Sequence, residues 1–142
     1  MDTDEFLFEI VSPEGVVFEG KVNSVSLPTD LGQITILPHH ISLFTKLVGG
    51  EVEIKQKSHE TTIVIAGGFL EVKSGSAHLL SDYAIRAESI EQAKAEERKR
   101  KAEEKLKQTL SNEEFTIADK DLKISILELK VAQKIRRRQR VG

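Results

Sequence analysis

The sequence predicts an α+β protein, mostly β, with an N-terminal β-sandwich or barrel followed by an antiparallel hairpin of two helices. One observation is the distribution of glycine and proline. All three prolines lie at or before Pro38, eight of nine glycines lie at or before Gly75, and residues 76–141 contain neither. The second observation is that short alternating apolar and polar runs give way to charged runs of strong helix formers. We therefore predict a β domain at residues 1–86 and a helical hairpin at residues 87–142.

Many short segments of the first part are typical of strands. The predicted strands cover residues 6–11, 16–18, 21–27, 51–55, 61–66, 69–73 and 77–80. Glycine pairs at 49–50 and 67–68 precede two of these strands, and the Ser-Gly-Ser at 74–76 is predicted as a tight hairpin turn. Such closely spaced short strands indicate a sandwich or barrel, because one open sheet would leave its apolar face in water.

A dense apolar stretch at residues 32–45 surrounds a Pro-His-His corner at residues 38–40. We interpret it as a strand, a proline-fixed turn and another strand. The alternative is a metal site. It is disfavoured because adjacent side chains on a strand point to opposite faces, and His59 and His78 lie in unrelated patterns. We predict no metal site.

The first helix of the hairpin is predicted from Ile90 to about Leu110. Ser89 and Gln92 fit a capping box at its start, and a polar loop at residues 111–114 follows it. Ion pairs of the i,i+4 type are predicted at Glu96/Arg100, Glu97/Lys101 and Glu103/Lys107. The apolar stripe of this helix is narrow and rich in alanine, so two helices alone would make a marginal core.

The second segment, from Asp121 to Arg140, is ambiguous between helix and strand. Residues 122–131 alternate in part like strands, yet apolar residues also recur on one helix face at Ile124, Leu127, Val131 and Ile135. We favour a helix because glycine and proline are absent and a helix of similar length precedes it. A further apolar row comprises Leu122, Ile126 and Leu129. We expect the β domain, a partner, or each in turn to cover that row.

Charge is unevenly distributed along the chain. The net charge is −2, but no acidic residue follows Glu128. Six basic residues do follow it: Lys130, Lys134, Arg136, Arg137, Arg138 and Arg140. The rest of the chain holds 15 basic against 23 acidic residues, so an acidic body ends in a basic tip. The tip could be a solvated helix end, and we favour the interpretation that it docks on an acidic surface.

Several classes of function are excluded by what the sequence lacks. The absence of cysteine excludes disulfides, thiolate catalysis and cysteine-ligated metals. No stretch approaches the ~20 apolar residues of a membrane span, and the acidic start at residues 1–5 is unlike a signal peptide. No phosphate loop, dinucleotide fingerprint or hydrolase motif is present, so we predict no catalytic residues and no enzyme activity of the chain itself. We expect a cytosolic protein that reaches membranes through partners.

Four segments in order resemble one known family. Residues 32–45, with Ile-Leu-Pro-His-His at 36–40, are similar to a "G-x-L-G-I-L-P-x-H-x-P-L" region. Residues 67–72 and 80–87 are similar to two further stretches, and residues 99–104 to a first C-terminal helix. Together they resemble the epsilon subunit of F-type ATP synthases over nearly the whole chain. That family's fold is an N-terminal β-sandwich followed by a two-helix hairpin.

The resemblance implies a non-catalytic rotor subunit of the central stalk, which couples ion-driven rotation to ATP synthesis. The β domain would bind the gamma subunit and the c-ring through Ile36, Leu37, Pro38, His39, His40 and Ser42. The hairpin would pack on the β domain, or extend into the catalytic alpha–beta hexamer and inhibit ATP hydrolysis. Its contacts with acidic beta-subunit loops would come from Lys134, Arg136, Arg137, Arg138 and Arg140. The complex would place the protein peripherally on the cytoplasmic face of the cell membrane.

The chain also departs from the family pattern. Residues 34–35 replace Leu-Gly, and Ser42 replaces a proline. Some members bind ATP in the hairpin through an Ile/Leu-Asp-x-x-Arg-Ala stretch, which the resemblance maps onto Glu91, Lys94 and Ala95. Lysine cannot form the planar fork of arginine, so we expect no cofactor, and ATP only as a regulatory ligand. The alternative function is a nucleic-acid-binding module that uses the basic C-terminal helix, with affinity that falls steeply with salt.

Overall fold

The structure is a computed structural model that describes the backbone of residues 4–141 and the side chains of residues 4–138. The chain divides into two compact units, Met1–Arg86 and Ala87–Gly142. The first unit is built of strands, and the second contains a short 3₁₀ turn and two helices.

Eight strands form the first unit. They are β1 Phe6–Ser12, β2 Gly15–Val22, β3 Ser24–Thr29, β4 Gly32–Ile36, β5 Leu43–Gln56, β6 His59–Lys73, β7 Ser76–Leu80 and β8 Ala84–Arg86. The order is β2-β1-β7-β6-β5-β3-β4, and β8 pairs with β6. The pairs are antiparallel except β1 with β7, which is parallel.

The two longest strands contribute to both layers of the sandwich. The first half of β6 pairs with β8 and its second half with β7, while β3 pairs only with the second half of β5. The change of layer occurs near Gly67 and Gly68, whose φ angles are +106° and +150°. A Cβ at Gly68 would lie 2.1 Å from the carbonyl oxygen of Leu80, so only glycine fits where the strands approach.

The core lies between these layers and follows from the alternating pattern. On β1, Phe6, Phe8 and Ile10 are buried, and their neighbours point outward. The same alternation continues on the other strands and produces one cluster of large aliphatic and aromatic side chains. The predicted β-sandwich is therefore confirmed.

The strand starts predicted directly after the glycine pairs at 49–50 and 67–68 are wrong. Both glycine pairs lie inside strands, so the segments predicted at 61–66 and 69–73 form a single strand, β6. Glycine inside a strand marks an irregularity or a close backbone approach as well as a turn, and here β5 and β6 continue through it. The three-residue strand β8 was not predicted from the sequence.

The first helix, α1 Gln92–Leu106, is shorter than predicted at both ends. Ser89 does not cap it, because Ala87–Ser89 forms the 3₁₀ turn and the N–H of Ile90 donates to Ala87. Glu91 takes the N-cap position without a side-chain capping bond. At the other end the N–H groups of Lys107 and Gln108 donate to carbonyls three residues back, which tightens the last turn and ends the helix.

The second helix, α2 Asn112–Val141, confirms the prediction of helix over strand but begins well before Asp121. A capping box lies at the start of this helix, between Ser111 and Glu114. The N–H of Glu114 donates to Ser111 Oγ at 3.2 Å, and the N–H of Ser111 donates to Glu114 Oε1 at 3.3 Å. The predicted polar loop at 111–114 is therefore wrong. The pKa of the Glu114 carboxyl lies below its ordinary value. The largest cause is a hydrogen bond with the side chain of Ser111, and the next largest is a hydrogen bond with the backbone of Ser111.

Small residues occupy the faces on which α1 and α2 meet. They recur at seven-residue spacing, as Ala95 and Ala102 on α1 and as Ala118, Ser125 and Ala132 on α2. All except Ala132 are fully buried. Such small side chains allow the two helix backbones to approach closely. One polar contact also joins the helices, since Arg98 Nη1 donates to Glu128 Oε1 at 2.8 Å. The predicted pair of Glu97 and Lys101 is present at 3.2 Å.

Candidate functional site

The Pro-His-His corner forms a tight turn between β4 and β5. The N–H of His40 donates to the carbonyl of Leu37 at 3.2 Å, and His39 has a φ of +67°. Proline at the second position and a positive φ at the third are features of a type II turn. The turn follows from the fixed φ of Pro38, and it projects the loop away from the sheet.

The loop exposes apolar side chains. Leu37 and Ile41 are 56% and 79% exposed, and Ser42 is exposed beside them. His40 is half-buried and its Nδ1 lies 2.7 Å from the carbonyl oxygen of Ile41. Ile36 differs from its neighbours, because its side chain is buried in the core and is not available to a partner. We call Leu37 to Ser42 the loop surface.

A second surface, which the sequence analysis missed, lies on the outward side of β1, β7 and the adjoining halves of β6 and β5. We call it the outer face. It carries four exposed apolar side chains: Leu7, Phe44, Phe69 and Leu80. The rings of Phe44 and Phe69 stack with centroids 5.9 Å apart. The signal was available in the sequence, because these residues occupy the outward positions of alternating strands, where polar residues are the norm.

A polar row crosses the outer face between its apolar residues. Glu9, His78 and Glu71 lie opposite one another on β1, β7 and β6. His78 Nδ1 lies 3.2 Å from Glu9 Oε1, and Lys73 Nζ lies 3.4 Å from Glu71 Oε1. The outer face therefore combines aromatic and aliphatic contact area with a few charged groups, which is typical of a protein-binding surface.

The hairpin carries a groove of about 540 Å³ between α1 and α2. Its basic lining residues are Lys94, Arg98, Lys101 and Lys105. Several of these already have carboxylate partners: Lys94 lies 3.1 Å from Glu91, and Arg98 contacts Glu128. Ala95, the third residue matched to the ATP-binding stretch, is buried. In the structure, Glu91 and Lys94 therefore form an ion pair with each other.

The basic tip forms the end of α2. Arg136, Arg137 and Arg138 are exposed, and Lys134 is half-buried. The side chain of Arg140 lies outside the described residues. Cations in this position are favoured by the negative end of the helix dipole, and their exposure leaves them accessible to an acidic partner.

The described residues lack two further kinds of feature. No group of three or more His, Cys, Asp or Glu side chains there could hold a metal ion. In the same part of the chain, no helix has the length and apolar character needed to cross a membrane.

Comparison with known families gives one decisive match. Residues 5–87 match the model of the ATP synthase delta/epsilon chain, β-sandwich domain. The chain belongs to the ATP synthase delta/epsilon family. The match covers β1 to β8 and both surfaces described above, so the predicted family resemblance is confirmed.

Relatives of this family agree with the match. The ATP synthase epsilon chain of Endomicrobium trichonymphae is 40% identical over 91 residues, which are 64% of this chain and 66% of that relative, just under two thirds of its length. A chain of the mitochondrial ATP synthase of Euglena gracilis, solved with OSCP, F1 and the c-ring, has a TM-score of 0.74 at 20% identity. It covers 92% of this chain and 82% of that one.

A second solved structure is the central stalk and c-ring of the Tetrahymena thermophila mitochondrial ATP synthase. One of its chains has a TM-score of 0.59 at 10% identity, over 93% of this chain and 99% of that one. At such identities the two structures bear on the fold alone. The alternative of a nucleic-acid-binding module is not supported, since the family match and the 40% identical relative both name ATP synthase.

Proposed function

We propose that this protein is a non-catalytic rotor subunit of the central stalk of an F-type ATP synthase, where it couples ion-driven rotation to ATP synthesis. The observation that carries the proposal is the outer face, on which four large apolar side chains are exposed on the strands that the family model matches. Singly exposed apolar residues are common, but a grouped patch on a sheet indicates a binding surface.

The outer face is the docking surface for the gamma subunit in this proposal. Phe44 and Phe69 form a stacked pair on the β5 and β6 side of this face, with charged side chains beside them. Stacked aromatic rings supply large contact area at low conformational cost and are frequent energetic centres of interfaces. The loop surface, with Leu37 and Ile41, is the contact with the c-ring, and through these partners the protein associates with the cytoplasmic face of the membrane.

The hairpin is the regulatory element in this proposal. Its exposed basic tip would meet acidic loops of the catalytic beta subunits and so inhibit ATP hydrolysis. The groove between α1 and α2 is the candidate position for a regulatory ATP. Because Lys94 is paired with Glu91 and Ala95 is buried, the residues matched to the ATP stretch favour a closed hairpin over a nucleotide clamp.

Docking on the outer face is tested with the double substitution Phe44→Glu/Phe69→Glu. We expect binding of the full chain to the gamma subunit to weaken at least about tenfold, because two carboxylates would be buried in the interface. The matched control is Leu31→Glu, which changes an exposed apolar residue in the turn between β3 and β4, away from the outer face. Titration calorimetry measures both. Equal loss in both variants, or no gamma binding by the wild type at micromolar concentration, would contradict the proposal.

The regulatory role is tested by truncation after Ala87, which removes both helices. The complex should still assemble, and its rate of ATP hydrolysis should rise because the inhibitory element is gone. Charge reversal at Arg136, Arg137 and Arg138 should have a weaker effect in the same direction. An unchanged rate, with the full-length subunit shown to be bound, would argue against inhibition by the hairpin.

A further inference from the structure

His78 lies at the centre of the outer face, between two carboxylates. Glu9 on β1 and Glu71 on β6 flank it in register, and its Nδ1 is 3.2 Å from Glu9 Oε1. Its side chain is 43% exposed and that of Glu9 is 32% exposed, so both still contact water. The apolar residues Leu7, Phe44, Phe69 and Leu80 lie around this row, so a partner that covers them also covers His78.

The charged groups around His78 are not equally compensated. Glu71 has Lys73 at 3.4 Å. Lys46 lies one row away, opposite Phe69 on the neighbouring strand. The polar contact found for the Glu9 carboxylate is with the His78 ring. On the other side of Glu9, β2 places Glu19 opposite it and Lys21 opposite Leu7. The His78 ring contacts Glu9, and protonation of the ring sets whether that contact is with a positive or a neutral group.

Docking removes water from this pair and makes its protonation state matter. A buried carboxylate beside a neutral imidazole is an uncompensated charge, whereas beside an imidazolium it is an ion pair with a charge-assisted hydrogen bond. Imidazole is the side chain that ordinarily changes charge between about pH 5 and pH 8. A partner that covers the outer face therefore binds best to the protonated form.

We propose that docking of the gamma subunit on the outer face takes up a proton at His78, so that this contact of the rotor tightens as the pH falls. The proposal rests on the proposed function, and it assigns to His78 a role in the pH dependence of that same surface. The proton passes from solvent to the ring, and no other group is transferred.

The test is titration calorimetry of the full chain with the gamma subunit at about pH 6 and about pH 8, the range in which imidazole ordinarily titrates. We expect the wild type to bind about three- to tenfold more tightly at the lower pH, because the docked pair is favoured when the ring carries a positive charge. Repeating the titration in two buffers of different ionisation enthalpy should show net proton uptake.

Two variants isolate the pair. His78→Gln retains a hydrogen-bond donor for Glu9 but cannot be protonated near neutral pH, and Glu9→Gln removes the charge that protonation compensates. Each should lose most of the pH dependence while keeping the unfolding midpoint of the wild type. The matched control, His59→Gln, changes an exposed histidine at the start of β6 and should leave the pH dependence intact.

The outcomes separate this inference from the proposed function. Absence of gamma binding at either pH would overturn the docking itself and the inference with it. Binding that is tight and equal at both pH values, or a His78→Gln variant with the full pH dependence, would overturn the proton uptake alone.

Discussion

The β domain and the hairpin are stabilised in different ways. The core of the β domain consists of large aliphatic and aromatic side chains such as Phe8, Ile10 and Leu79, which are essentially inaccessible to water. The buried side chains of the hairpin are mostly alanine and serine, with Ile124 and Val131 as larger buried residues, and Arg98 and Glu128 form an ion pair between the helices. Burial of large side chains contributes far more free energy than burial of alanine. The difference indicates a β domain with one fixed shape and a hairpin that is easier to open locally.

The largest expected effect is on the core of the β domain. Phe8→Ala should lower its free energy of unfolding by about 3–5 kcal/mol, because it removes a fully buried ring and leaves a cavity. The matched control is Leu7→Ala at the adjacent, half-exposed position, which should cost far less. Chemical denaturation of both variants measures the difference. Similar losses would mean that the outer face is as important for stability as the core. The β domain and the hairpin would then differ less in how they are stabilised.

An intermediate loss of stability is expected when the Arg98–Glu128 pair of the hairpin is broken. The two possible substitutions should differ in their cost, and this difference is informative. The side chain of Glu128 is 6% exposed and that of Arg98 is 41% exposed. Arg98→Ala leaves a buried carboxylate without this partner, whereas Glu128→Ala leaves a guanidinium that water can still solvate. We expect Arg98→Ala to cost about 1–3 kcal/mol, discounted for the exposure of Arg98, and Glu128→Ala to cost less.

Hydrogen exchange of α1 amides reports this local stability without unfolding of the β domain. Protection should fall more in Arg98→Ala than in Glu128→Ala, while the amides of β1 keep their protection in both. Loss of protection in β1 as well would show that the two units unfold together, which would break the comparison.

The same two regions differ in how far the sequence predicted them. Alternation was sufficient for the strands and the buried face of β1, because burial on one side of a sheet imposes a strict period of two. The long strands β5 and β6 were missed, because glycine is as typical of turns as of the irregular positions at Gly67 and Gly68. No local pattern marks the contact of Arg98 with Glu128, since it depends on how the two helices align.

Two parts of the candidate sites were accessible to sequence reasoning but not found. The outer face could have been derived by assigning the outward positions of β1, β5, β6 and β7, where Leu7, Phe44, Phe69 and Leu80 stand. The start of α2 could also have been derived, because Ser-Asn-Glu-Glu at 111–114 has the spacing of a capping box. Its polar composition favoured a loop, and the spacing of Ser111 and Glu114 was the better guide.

The smallest expected effect is at that capping box. Ser111→Ala removes the acceptor for the N–H of Glu114 and should lower the stability of the hairpin by about 1 kcal/mol. The acid dependence is the sharper test. Because its pKa is lowered in the folded protein, Glu114 contributes stability above the ordinary carboxyl value of 4.5, and this contribution is lost as the pH falls below it.

The variant Glu114→Gln should therefore show less acid-induced loss of α2 protection than the wild type, and it should lose the bond from the N–H of Ser111 in its charge-assisted form. The control Glu113→Gln changes the neighbouring acid in the same helical turn and should keep the full acid dependence. Hydrogen exchange from neutral pH to below the ordinary carboxyl value measures both. Identical acid dependence in the two variants would mean that the first turn of α2 responds to its total charge and not to the capping box. The stability of the hairpin would then be more evenly distributed along its length, and the hairpin would differ less from the β domain.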